Sequence, residues 1–150
     1  MFANEPITKG EVVAIWGGTF VSKDGAEEAR KKPDNCVQQI DDDVFEVFSY
    51  ENRGDDPTYF HNHSCDPNTW MEDEVTLTAR RNIKANEELT VDYAMFEANE
   101  DRIIIENCPC GSANCRRTIT GKDWRRKDLQ EQYGNHFSPF INGRIVASRS

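Results

Sequence analysis

Apolar residues in this chain come in short runs, not in long helical stripes. Ile7, Val12, Val13, Ile15 and Trp16 flank a Lys9-Gly10-Glu11 turn, and Gly17-Gly18 breaks the run before Thr19-Phe20-Val21. β-Branched and aromatic residues punctuated by glycine predict strand, turn, strand over residues 5–22. Asp24 to Lys32 carries acids early and bases late, which suits a short helix that Pro33 stops. Val44 to Tyr50 is aromatic-rich extended chain, and residues 51–58 are a turn. Val75, Leu77 and Ala79 alternate with Thr76, Thr78 and Arg80, the period of a half-buried strand. A turn at Ile83 to Asn86 leads into a strand at Glu88 to Val91. Ile103 to Ile105 reads as a buried strand or a hinge. Thr120 to Gly134 predicts one helix, with Thr120 and Asp123 as a loose capping box and Gly134 as its stop. The tail from Phe137 to Ile145 is expected to pack on the domain. Many short strands and few helices make the fold class mainly β and irregular.

At 150 residues the chain is long enough for one domain with one core. The net charge of -9 disfavours nucleic acid, whose phosphates need a basic footprint, and suits a basic, Lys/Arg-rich partner. Acidity that merely aids solubility is the competing explanation. No apolar run approaches the ~20 residues of a membrane helix and no secretion-type N-terminus is present, so a reducing, cytoplasmic or nuclear setting is expected. The 5 cysteines, an odd number, fit a disulfide framework poorly and a metal better.

Two stretches carry the chemistry. Tyr59 to Asn68 packs two imidazoles, two carboxamides, a thiol and a hydroxyl into one loop, which Pro67 stiffens. Cys108-Pro109-Cys110 and Cys115 bring three thiols together at a spacing that grips a single Zn²⁺, and a tetrahedral site needs a fourth ligand. Cys36, Cys65 and a histidine are the candidates; buried reduced thiols without metal are the alternative. Gly111 and Asn114 are suited to the left-handed turns of such a knuckle. Cys36 on its own reads as a lone, partly buried thiol. The letters His61-Asn62-His63 also suggest a metal nuclease, a reading that the net charge opposes.

In order, Asn62-His63-Ser64-Cys65-Asp66-Pro67-Asn68, Glu88-Leu89-Thr90-Val91-Asp92-Tyr93 and Cys108-x-Cys110 with Cys115-Arg116 resemble the SET-domain protein lysine methyltransferases that end in a post-SET zinc segment. Phe2-Ala3 and Ile7-x-Lys9-Gly10-Glu11 resemble the start of that domain. The resemblance implies small curled β-sheets with a knot-like junction between the Asn62–Asn68 loop and the Asp92-Tyr93 segment. It implies S-adenosylmethionine on one side, a peptide on the other, and a narrow channel for the target lysine between them. It implies Tyr93 as the catalytic residue, Asn62, His63 and Tyr93 at the cofactor, and Cys65, Cys108, Cys110 and Cys115 as zinc ligands. The expected division is a SET domain over 1–107, a zinc segment over 108–120, and a helix and tail over 121–150. Phe45, Phe48, Tyr50, Phe60, Phe96 and Trp124 are candidate channel walls, each equally at home in a core.

The chain departs from the family in places. The Gly-x-Gly strand expected just before Phe2-Ala3 has no counterpart, and the expectation is that Met1 stands at an internal position of a longer natural chain. Val91 occupies a position where the family often has Phe or Tyr, and its smaller side chain predicts multiple methylation. Tyr59 stands where an arginine is common. The leading expectation is a methyltransferase acting on a lysine-containing basic protein or peptide, histone-like or otherwise. A zinc-stapled scaffold that binds basic peptides without catalysis, and a plain structural zinc domain, are the alternatives.

Overall fold

Among the described residues, ten short strands, three α-helices and short 3₁₀ turns make up the chain. This computed structural model describes residues 1–49, 51 and 60–149; the turn expected at 51–58, Tyr59 and the channel candidate Tyr50 fall, apart from Glu51, outside them. β1 (Val12–Ile15), β7 (Thr76–Ala79) and β6 (Thr69–Met71) form one antiparallel sheet in that spatial order. β2 (Thr19–Ser22), β4 (Val44–Phe48) and β3 (Cys36–Gln39) form a second. β9 (Ile103–Ile105) pairs with β10 (Ile119–Thr120). β5 (Asn62–His63) and β8 (Thr90–Val91) run parallel, Asn62 opposite Thr90 and His63 opposite Val91.

Local signals explain much of this. α1 (Lys23–Arg30) starts where the Ser22 hydroxyl accepts from the Gly25 amide, a serine N-cap, and it ends three residues before Pro33. It seals Ala26 against Val37 and Phe45 of the second sheet. Asn86 takes a left-handed φ of 63° in the expected turn. Gly18 is obligatory: a Cβ there would lie 2.6 Å from the Val47 carbonyl oxygen. β7 differs from the half-buried strand that its alternation predicts. It is the central strand of its sheet, so Thr78 is buried along with Leu77 and Ala79.

The C-terminal third departs most from expectation. Residues 120–134 are not one helix. Thr120 belongs to β10, and Gly121 presses so closely on the Asn99 backbone that a Cβ would meet its carbonyl. A short 3₁₀ turn follows at Asp123–Arg125, and only then α2 (Lys127–Tyr133), which Gly134 ends with a φ of 60° as expected. The Thr120 hydroxyl does reach the Asp123 carboxylate, at 2.8 Å, but it holds a turn and caps no helix. The tail packs as expected and is itself a helix, α3 (Pro139–Ser148), capped by the Ser138 hydroxyl on the Ile141 amide. Ser138-Pro139 is the N-cap and first-turn proline signal in the sequence that would have found it.

The main core joins sheet and tail: Met71, Leu77, Val91 and Met95 meet Trp124, Leu129, Tyr133, Phe137, Ile141 and Ile145. The His136 ring stacks on Trp70 at 3.5 Å, and the Ser138 amide donates to the Met95 carbonyl at 2.7 Å. Among the described residues no helix is long and apolar enough to cross a membrane.

Candidate functional site

The site is built where the β5–β8 pair meets the cysteine cluster. Asn68 fastens the two strands together. Its side chain donates to the Glu88 carbonyl at 2.7 Å and accepts from the Thr90 amide at 2.9 Å. Strand alternation then turns His63 inward and leaves Asn62 exposed, with its amide on the Glu88 carboxylate at 2.7 Å.

Tyr93 follows β8 at the start of a 3₁₀ turn that Asp92 caps through the Ala94 amide. The Tyr93 amide donates to His63 Nδ1 at 3.3 Å, and its hydroxyl donates to the His61 carbonyl at 3.1 Å. Burial raises the phenol to about 12, so it stays protonated at neutral pH and acts as donor and acceptor, not as a base.

Beside Tyr93 lies a cavity of about 460 Å³. Trp16, Phe48, His61, Val91 and Phe96 line it with Tyr93, and Arg30, Lys32, Glu97 and Arg102 add charge to its wall. Trp16 is the aromatic hub, edge-on to Phe96 at 5.1 Å, to His61 at 6.4 Å and to Phe48 at 6.5 Å. Of the candidate wall residues, Phe48 and Phe96 are here. Phe45 belongs to the core under α1, Trp124 to the main core, and Phe60 is exposed. Trp16 and His61 carry no local signal that marks them as wall residues. Position 16 reads locally as strand, and only the fold brings it to Tyr93.

Under the site sits a buried polar network that no local motif announces. Asp92 is fully buried and takes both amino groups of Arg116, at 2.6 and 2.7 Å. The Tyr133 hydroxyl donates to the same carboxylate at 2.8 Å, and Arg116 Nε donates to Asp123 at 2.8 Å. Burial alone would lower the guanidinium, but the hydrogen-bonded Asp92 carboxylate outweighs it and raises it. Burial and the adjacent Asp92 charge raise the Tyr133 phenol.

The sulfurs of Cys65, Cys108, Cys110 and Cys115 all lie within 4.8 Å of one another. Four thiolates on one tetrahedral zinc would sit about 3.8 Å apart for bonds of about 2.3 Å, so the cluster fits such an ion after small rotations. Of the candidate fourth ligands, Cys65 is the one in the cluster, whereas Cys36 is exposed at the start of β3, not partly buried. The Arg116 amide donates to Cys65 Sγ at 3.4 Å, and His63 Nε2 lies 3.3 Å from it. Burial pushes the Cys65 thiol up to about 12. At Cys110 burial opposes ionisation, yet the Ser112 hydroxyl and backbone donors outweigh it and hold the thiol near 6. Gly111 takes the expected left-handed turn, with φ 69°. The second left-handed residue is Arg117, φ 67°, not Asn114, whose side chain instead bonds the Cys65 carbonyl at 3.3 Å.

These features define a β-rich scaffold of small sheets with an aromatic slot and a four-cysteine staple. The chain belongs to the SET-domain family, whose model matches residues 1–94. The chain is 29% identical over 174 residues to the histone-lysine N-methyltransferase ASHH3 of Arabidopsis thaliana, covering 99% of this chain and 46% of that protein. It is 31% identical over 132 residues to an H3 lysine-4 specific histone-lysine N-methyltransferase of Mycosarcoma maydis, covering 79% and 9% respectively. The chain thus spans less than half the length of these curated relatives. The methyltransferase domain of human SETMAR shares the fold, with a TM-score of 0.56 at 19% identity over 77% of this chain and 51% of that one.

Proposed function

We propose that this chain is an S-adenosylmethionine-dependent protein-lysine N-methyltransferase with one structural zinc. The observation that carries the reading is the Tyr93 hydroxyl, hydrogen-bonded to the His61 carbonyl at the wall of an aromatic cavity. Bound S-adenosylmethionine supplies a methyl group on a sulfonium sulfur, which an amine can take by in-line displacement. The rings of Tyr93, Phe96 and Trp16 suit such a cation, and the exposed Asn62 carboxamide offers a polar contact, with His63 turned inward behind it onto the Tyr93 amide. Tyr93 donates its proton to the His61 carbonyl and keeps its oxygen free to accept from the lysine amine, which orients the lone pair. The apolar slot disfavours the ammonium form of that lysine and so helps it enter neutral.

Cys65, Cys108, Cys110 and Cys115 would hold zinc and staple the segment before β10 onto the loop that carries Asn62 and His63. The substrate is a basic, histone-like protein, in keeping with the net charge of -9 and with the printed names of the relatives. The test is methyl transfer to a pool of histone peptides, read by mass spectrometry with wild type and Tyr93→Phe. Loss of about a hundredfold or more in kcat at unchanged fold supports the assignment. Equal activity in Tyr93→Phe refutes it.

A further inference from the structure

His61 sits at the slot with its hydrogen bonds unmade. Its side chain is buried, with a residue exposure of 7%, yet among the described residues neither ring nitrogen has a hydrogen-bond partner. Native interiors rarely leave both nitrogens of an imidazole unsatisfied. The ring stands edge-on to Trp16, and the residue lines the cavity that also holds Tyr93. The carbonyl of this same residue receives the Tyr93 hydroxyl at 3.1 Å, so position 61 lies at the reacting end of Tyr93. A ligand that satisfies His61 must carry a polar hydrogen into an aromatic slot.

We infer that His61 sets the methylation state: one ring nitrogen accepts a hydrogen bond from an N–H of the target ε-amine while the lone pair of that amine faces the methyl donor. This rests on the lysine-channel reading above. Burial keeps the imidazole neutral, with its value lowered to about 4, so it serves as an acceptor and takes no proton. In the transfer the amine takes the methyl and the positive charge, and the donor is left as a neutral thioether.

A neutral lysine amine has two N–H bonds, one for the Tyr93 oxygen and one for His61. Its monomethyl form has one, which goes to His61 because the Tyr93 hydroxyl already has the His61 carbonyl as a partner. Its dimethyl form has none. A site built to bond an N–H discriminates strongly against the analogue that lacks it, because its own buried polar atom is left unpaired. The first and second methyls are therefore added readily and the third poorly, although Val91 leaves space for it. The spatial limit and the hydrogen-bond limit thus come from different residues.

The test uses histone H3 tail peptides carrying unmodified, monomethyl or dimethyl lysine, with wild type and His61→Leu. Wild type is expected to favour the monomethyl over the dimethyl peptide by about a hundredfold in kcat/KM, and His61→Leu to narrow that ratio about tenfold. An unchanged ratio overturns the inference. A second readout needs no turnover. In protein labelled with ¹⁵N-histidine and ¹³C-tyrosine, the His61 and Tyr93 ring signals, assigned by their loss in His61→Leu and Tyr93→Phe, shift when Nα-acetyl-lysine amide, with its ε-amine free, is added. Shifts at Tyr93 without shifts at His61 overturn the inference and leave the channel reading standing. No shift at either residue overturns both.

Discussion

Single residues decide how this site tolerates change. Arg116 is the clearest case, because it neutralises a carboxylate that is entirely out of water. Arg116→Leu leaves Asp92 charged and unpaired and should cost about 3–5 kcal/mol, measured by urea unfolding. Adding Asp92→Asn to that variant should return part of the loss. Tyr133→Phe removes one hydrogen bond to the same carboxylate and should cost about 1 kcal/mol. His61 makes acid stability readable. Burial, with the Met1 ammonium second, holds its imidazole at about 4 against an ordinary 6.5. Between those values the unfolded chain binds a proton that the folded one refuses. Stability is therefore complete above 6.5 and declines as pH falls, by about 2 kcal/mol between about pH 7 and about pH 5. The acid sensitivity of His61→Leu should be smaller by that amount in unfolding titrations at the two pH values.

At the level of elements, the sequence was most legible where the signal is local. Pro33 closes off the stretch that forms α1, Gly134 ends α2, and the cysteine spacing predicts a cluster. β3 and β6 were missed because neither has its own turn signals or a clean alternation; each exists by pairing with a neighbour. The break within 120–134 was illegible because it is imposed by the Asn99 and Arg102 backbones, remote in sequence from Gly121. Asp92, Arg116 and Asp123 were visible letters whose partnership only the fold creates. The β9–β10 pair has two or three residues a strand, too short to stand unaided. The staple should therefore matter greatly to this segment. Removing zinc with a strong chelator should lower Tm by about 10 °C or more, and Cys110→Ser should reproduce most of that fall in calorimetry. A Tm unmoved by chelation would mean that the cluster is a set of reduced thiols.

For the whole molecule, charge and topology pull on different steps. In the proposed reading, the net charge of -9 would draw a basic peptide in from a distance, while the slot would decide what reacts. Association with a lysine-rich peptide should slow about tenfold between about 50 mM and about 500 mM salt, with the dissociation rate changing far less, as stopped-flow fluorescence can show. Topology bears on synthesis. The Arg116 and Tyr133 side chains that bond Asp92 lie 24 and 41 positions downstream of it. A chain emerging from the ribosome presents Asn62, His63 and Tyr93 long before those partners exist. Closing the loop onto β8 at that moment would sink a lone carboxylate into the interior, so closure waits. A nascent chain ending short of Tyr133 would carry every residue assigned here to cofactor contact and to catalysis, together with all four sulfurs, and still hold no finished site.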